Sequence, residues 1–223
     1  MSIKENLAKL LSNIPEHVKL VAVSKTKPIE TILEAYHTEY KIFGENKAQE
    51  LSTKQPEMPD DIEWHFIGHL QTNKVKYIAP FVGLIHSVDS LKLLMEIDKQ
   101  AKKNNRVVDC LLQFHIATEE TKFGLDMQEA ADILASPFYP TLENVRIVGV
   151  MGMATYTDDE DLIRNEFASL RKYSEQLKND FFKDADYFKE ISMGMSNDYE
   201  IAIEEGSTIV RIGSIIFGAR NYN

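Results

Sequence analysis

Lys19-Leu-Val-Ala-Val-Ser-Lys25-Thr-Lys-Pro28 runs through four consecutive apolar residues, turns polar and stops at a proline. A short apolar run without alternation reads as a strand buried on both faces, as a parallel sheet requires. Lys25 has the strand parity of Val21 and Val23, so it points with them at the C-terminal end of the strand. A lysine held there can have its pKa lowered and condense with an aldehyde as a Schiff base. Lys27 shares that parity but follows the strand end and adjoins Pro28, where the chain turns. Taken alone, a lysine that ends a strand is a solvated charge, and other residues must supply the reason to read Lys25 otherwise.

Working outward, β-rich runs lie at residues 20–24, 41–43, 63–67, 84–86, 107–115, 146–151, 187–193 and 208–212. Helical patterns fill residues 28–39, 90–103, 126–135 and 158–179, and one extra helix, 3–11, precedes the first strand. Asp89 and Asp158 are expected as N-terminal caps, the second within an acidic run that suits a helix N-terminus. Strands alternating with helices predict an α/β fold, a (β/α)8 TIM barrel, as one domain over residues 1–223. An open doubly wound sheet is the structural alternative, because strand number alone does not prove closure. There is no internal repeat and no low-complexity segment.

In such a barrel, functional groups gather just after the C-terminal ends of the strands. Lys25, Gly44-Glu-Asn46, Gly68-His69, Ser87-Val-Asp89, Gly152-Met-Ala154, Gly194-Met-Ser196 and Gly213-Ser214 all fall there. The last two strands run into Ile191-Ser-Met-Gly-Met-Ser196 and Val210-Arg-Ile-Gly-Ser214. Glycines let backbone N–H groups approach an anion, and serine hydroxyls add donors, so these loops read as a phosphate cradle assisted by the N-terminus of a short helix at 214–218. Arg211 lies inside the eighth strand, either as a structural ion pair or as a donor to the nitrogen of a pyridine ring. Because arginine stays protonated, that nitrogen would stay unprotonated and the ring would be a weak electron sink. A Schiff-base lysine, a phosphate cradle and a ring-nitrogen partner together point to pyridoxal 5′-phosphate, with Asn46 as a polar contact to the ring.

Trp64-His-Phe-Ile-Gly-His69 holds two histidines four apart, but across a strand end and a glycine turn, with no HExxH or Cys cluster nearby. No metal site is expected. His65, His86 and His115 read as core histidines, while His69, Gln71 and Asn73 read as rim groups, and Lys74 meets phosphate or solvent. No Gly-x-Ser-x-Gly elbow or Walker loop supports hydrolase or nucleotide-triphosphatase chemistry. The chain has 223 residues, 43% hydrophobic, with 25 basic and 35 acidic side chains and a formal net charge of -10. That balance argues against nucleic-acid and anionic-membrane partners. Cys110, alone inside an apolar strand, reads as a small core residue. With no apolar run long enough to span a bilayer and no signal peptide, a cytoplasmic protein is expected.

These residues resemble the YggS/PROSC family of pyridoxal phosphate homeostasis proteins. The resemblance rests on Ala22-Val-Ser-Lys-Thr-Lys-Pro28, Phe43-Gly-Glu-Asn46, Trp64-His-Phe-Ile-Gly68 with Leu70-Gln-x-Asn-Lys74, and Lys122-x-Gly124. It continues through Ser192-Met-Gly-Met-Ser196, Gly206-Ser-Thr-x-Val-Arg-Ile-Gly213 and Ile216-Phe-Gly-Ala-Arg220. It implies a fold-type III barrel like the N-terminal domain of alanine racemase, with pyridoxal phosphate on Lys25 and Arg211 facing the pyridine nitrogen. Ser192, Ser196, Gly213 and Ser214 would surround the phosphate. Ser214 stands where threonine is frequent, His115 where many members carry asparagine, and His69 at a variable position.

Two functions compete. A homeostasis protein would hold or deliver the cofactor, with no catalytic residues, as a monomer whose recipients are apo-enzymes that require it. A pyridoxal-phosphate-dependent racemase or decarboxylase would turn over amino acids on the same group. Relatives of the second kind carry a further β domain, for which about ten residues after the eighth strand leave no room, and no second acid/base can be placed opposite Lys25. A Schiff-base aldolase barrel fits the positions of Lys25 and Arg211 poorly. The first function is the expectation.

Overall fold

The computed structural model describes residues 2–118 and 123–218. Lys122, Ala219 and Arg220, which belong to the motifs above, lie outside them. The strands are Lys19–Val23 (β1), Ile42–Glu45 (β2), Glu63–Phe66 (β3), Leu84–Val88 (β4), Val108–Gln113 (β5), Val145–Met151 (β6), Glu190–Ser192 (β7) and Ile209–Ile212 (β8). They form a closed barrel in sequence order. Parallel pairing of β8 with β1 sets Val21 opposite Arg211 and completes the closure, which excludes the open sheet.

Helices Ile3–Asn13 (α1), Ile29–Tyr36 (α2), Ala48–Lys54 (α3), Val75–Ile78 (α4), Leu91–Lys103 (α5), Met127–Ala135 (α6), Glu160–Asp180 (α7), Tyr199–Glu204 (α8) and Ser214–Phe217 (α9) cover the barrel. α1 carries a reciprocal capping box between Ser2 and Glu5, and α6 another between Asp126 and Glu129. Two expected caps move by one residue. Ser90, not Asp89, accepts from Leu93 N at the start of α5, and Asp159, not Asp158, accepts from Leu162 N at the start of α7. α3, α4 and α8 span two turns or less, too short to show a helical period. β7 is shorter than its apolar run because the chain before it turns, with Phe182 and Phe188 stacked at 4.3 Å.

Two apolar clusters separate at the sheet. The larger lies between strands and helices and includes Phe43, Phe66, Phe114 and Phe167, while the smaller fills the barrel with Val21, Leu84, Leu111, Val148, Met151 and Ile209. Polar groups share that interior: His65, His86, Ser192 and Arg211 are all buried. Among the described residues, no helix is long and apolar enough to cross a membrane.

β6 and β7 approach around a bare backbone. A Cβ at Gly149 would sit 1.8 Å from the Glu190 carbonyl oxygen, and the pairing of β5 with β6 shifts register beside it, between Cys110 and Leu111. Gly149→Ala must therefore push β7 away, and should destabilise the protein by about 3 kcal/mol or more. Urea unfolding checks this; an unchanged midpoint would show that β7 yields at no cost.

Candidate functional site

The turn after β1 is held from below by a buried ion pair. Lys54 Nζ, on α3, donates to Glu45 Oε1 at 2.7 Å, Glu50 Oε1 at 2.7 Å and the Ser24 carbonyl at 3.1 Å. Ser24 Oγ donates to the same Glu45 oxygen, and Thr26 N donates to Glu50 Oε1 at 2.6 Å. Thr26 has φ of 64°, a left-handed conformation that a β-branched residue adopts only under constraint. The constraint is this network, and the strained turn carries Lys25. Burial pushes the Glu45 carboxyl up, against the pull of Lys54, and its Oε2 has no hydrogen-bond partner.

Above the turn, a cavity of about 540 Å³ opens at the C-terminal ends of the strands. Lys25 and Lys27 line it after β1, Asn46 after β2, Ile67 after β3, Met153 and Tyr156 after β6, and residues 195–198 after β7. Arg211 comes from β8, and Gly213, Ser214 and Gly218 from the turn beyond it. Among the described residues of the lining three cations face one carboxylate, Asp198, so the cavity favours an anion although the chain is acidic. Lys27 Nζ donates to the Phe217 carbonyl at 3.0 Å and approaches that of Gly218, which ties it across to α9.

The loop after β7 is tied to β8 through Arg211 N, which donates to the Gly194 carbonyl at 2.9 Å. Gly194 has φ of 96°, and a Cβ there would lie 2.6 Å from the Ala202 Cβ. In α9, internal hydrogen bonding begins with Ile216 N and Phe217 N donating to the Gly213 carbonyl. The amides of Ser214 and Ile215 thus have no partner within the helix. With the Ser196 and Ser214 hydroxyls on the lining, these loops form a donor-rich cradle beside the cations. Asn46 Oδ1 is buried at the cavity with no hydrogen-bond partner. An orphaned acceptor of that kind fits a ligand carrying a donor.

Ser192 lies elsewhere. It is buried within β7, absent from the cavity lining, and placed beneath Arg211. Arg211 Nη1 donates to Ser192 Oγ at 2.5 Å and Nη2 to the Gly152 carbonyl at 3.0 Å. From Ser192 Oγ a chain of contacts runs down the barrel: 2.9 Å to His86 Nδ1, 2.9 Å from His86 Nε2 to His65 Nδ1, and 2.8 Å from His65 Nε2 to Glu63 Oε1. Glu63 opens on a smaller cavity of about 270 Å³ near Lys19, Lys189 and Glu190 at the other mouth. Burial holds both imidazoles below their ordinary pKa, His86 well below. The hydrogen bond from His65 holds the Glu63 carboxyl at about 2, and burial brings Arg211 down to about 10 against the pull of Asp198.

Lys25, Asn46, Ser196, Arg211, Gly213 and Ser214 are thus brought together. The other rim candidates are not. His69 stacks on Phe123 at 4.3 Å with Nδ1 3.4 Å from Asp89, Lys74 sits over Tyr77, and neither these nor Gln71, Asn73 and His115 line the cavity. Sequence reasoning missed Tyr156 and Asp198 on the lining, and Glu45, Glu50 and Lys54 beneath it, while Met153 lies in the quoted Gly152-Met-Ala154. Glu45 sits in the quoted Gly44-Glu-Asn46, but the charges of α3 carry no signal of burial. Among the described residues no group of His, Cys, Asp and Glu side chains could hold a metal ion.

At one rim of this parallel barrel, a lysine, an arginine and two donor-rich loops thus line a single cavity. The chain belongs to the alanine racemase N-terminal domain family, whose model matches residues 1–221, and within it to the pyridoxal phosphate homeostasis proteins. It is 44% identical to the pyridoxal phosphate homeostasis protein of Aquifex aeolicus over 92% of this chain and 88% of that one. For the Helicobacter pylori (strain ATCC 700392 / 26695) protein of the same name, identity is 39% over 90% and 87%. Among solved structures, PipY of Synechococcus elongatus with PLP bound superposes with a TM-score of 0.87 at 35% identity, covering 97% of this chain and all of PipY. Alanine racemase from Bartonella henselae shares the fold, with a TM-score of 0.73 at 14% identity over 58% of the racemase chain.

Two measurements check these electrostatics. Lys54→Met leaves Glu45 buried without its cation and should cost about 3 kcal/mol at neutral pH. The penalty should shrink on acidification, because Glu45 then takes up a proton; a pH-independent penalty in urea unfolding would contradict this. For the wild type, the unfolded chain protonates His65 and His86 first as pH falls below about 6.5. Stability should be full above that pH and fall as acid approaches the folded values. The urea midpoint should drop between about pH 7.5 and about pH 5.5, and a flat profile would exclude two buried neutral rings.

Proposed function

We propose that this protein binds pyridoxal 5′-phosphate in the cavity, held as a Schiff base on Lys25, and that it serves pyridoxal phosphate homeostasis without turning over a dedicated substrate. The observation that carries the reading is the convergence of Lys25, Arg211, the orphaned Asn46 and the cradle on one cation-rich cavity. The names of the relatives support it, as does the PLP bound to PipY. Ser196, Ser214 and the amides around Gly213 would receive the phosphate, Asn46 a ring substituent, and Arg211 the pyridine nitrogen. Ser192 would act through Arg211 rather than on the phosphate.

When bound, the cofactor supplies an aldehyde for the amine and a ring that can accept electron density. The chain limits the second property. Arg211 is an obligate donor, so it leaves the ring nitrogen unprotonated and holds the cofactor without making it a strong electron sink. Recipients would be apo-enzymes that require pyridoxal phosphate, and the carrier a monomer of the cytoplasm. The acidic surface offers nothing to a nucleic acid or an anionic bilayer.

Purified protein mixed with pyridoxal phosphate should show the absorption band of a Schiff base, and borohydride should fix the label to Lys25 by mass spectrometry. Lys25→Ala should remove the band. Arg211→Glu should shift it while leaving the fold intact. A label on Lys27, or a band that survives Lys25→Ala, would remove Lys25 from the role. Racemisation of free amino acids by the wild type would favour the enzyme instead.

A further inference from the structure

The contacts that run from Glu63 to Arg211 have a direction that elementary hydrogen-bond chemistry fixes. A carboxylate only accepts, so His65 must donate to Glu63 from Nε2. A neutral imidazole has one N–H, which leaves His65 Nδ1 as an acceptor. His86 must then donate to it from Nε2, and His86 Nδ1 in turn accepts. Ser192 therefore donates its hydroxyl hydrogen to His86, and its oxygen lone pairs remain for Arg211, which only donates. Every donor in the row points from the ligand cavity toward Glu63. Both rings are fully buried, so a charged imidazolium is disfavoured and the neutral assignment holds.

We propose that His65 and His86 are positioning residues for the cofactor site, each a neutral Nε2–H tautomer locked by Glu63. They orient Ser192 so that Arg211 meets only an acceptor there and keeps its remaining N–H groups for the ligand. Were the row reversed, His86 would donate to Ser192 and the hydroxyl hydrogen would lose its acceptor, competing for space with the guanidinium. Glu63, at the opposite mouth of the barrel, thereby sets the hydrogen-bond polarity beneath the cavity. The coupling to a ligand rests on the reading that Arg211 faces bound pyridoxal phosphate; the tautomers do not.

Long-range 1H–15N NMR of histidine-labelled protein without cofactor reports the tautomers directly. At about pH 7.5 both rings should carry their proton on Nε2 alone. Protonation of His86 at Nδ1, or of either ring at both nitrogens, would overturn the proposal. In Glu63→Ala, His86 should become a mixture of tautomers although Glu63 does not touch it; a pure Nε2–H signal in folded variant would refute the lock. Ser192→Ala should weaken binding of pyridoxal phosphate about tenfold and move its absorption band. Unchanged affinity and band, with the wild-type tautomers as expected, would overturn the positioning role. Wild type that binds no pyridoxal phosphate at all would instead bring down the functional reading and leave the tautomer result standing.

Discussion

A guanidinium cannot lose its charge, so a barrel that buries Arg211 must satisfy it with acceptors it builds itself. Small barrels fill their interiors with apolar layers, and Val21, Leu84, Leu111, Val148, Met151 and Ile209 follow that rule here. Ser192, His86 and His65 share that interior, and a backbone carbonyl at Gly152 takes the second N–H group. Each of these polar groups would cost stability if left unpaired, and each is paired. The loop after β7 is fixed by the same residue, because the Arg211 backbone holds the Gly194 carbonyl. Removing the arginine would thus disturb both the interior row and the cradle above it.

The turn after β1 depends on the same kind of bargain at a different depth. Lys54 and Glu45 are both buried, and a buried ion pair often contributes less to stability than an apolar pair of equal volume. Here it contributes geometry. Through Ser24, Glu50 and Thr26 it holds a left-handed threonine between two lysines, so that both can line the cavity while Lys27 reaches α9. Strain of that kind persists only where its surroundings over-determine it.

The alternation of strands and helices made the barrel legible, and the glycine and serine runs after the last two strands marked the rim. Closure itself was not legible: it depends on β8 pairing with β1, a contact between residues nearly two hundred positions apart. Lys25, Arg211, Asn46 and the cradle residues could be read because each follows a strand end or interrupts an apolar run. Lys54 could not, since a lysine on a short charged helix looks solvated until the helix is placed over the β1 turn. Ser192 shows a finer limit. It sits two residues before Gly194, and the sequence reads it as part of the cradle. Yet β7 continues through it, so its hydroxyl turns into the barrel with the parity of Glu190.

That parity ties the two mouths of the barrel together. Glu63 and His65 are alternate residues of β3, and Glu190 and Ser192 alternate residues of β7, so each strand carries one polar group at the lower mouth and one inside. The cavity gathers Lys25, Lys27 and Arg211 on its lining, whereas the lower mouth pairs Lys19 with Glu63 and Arg146 with Asp109. A Glu63 carboxylate held at about 2 stays ionised wherever the protein is folded near neutrality. The acceptor at the foot of the row is therefore permanent, and Arg211 is permanently a donor at its head. A row with fixed ends of opposite character has one low-energy hydrogen-bond arrangement, and Arg211, which heads it, lines the cavity.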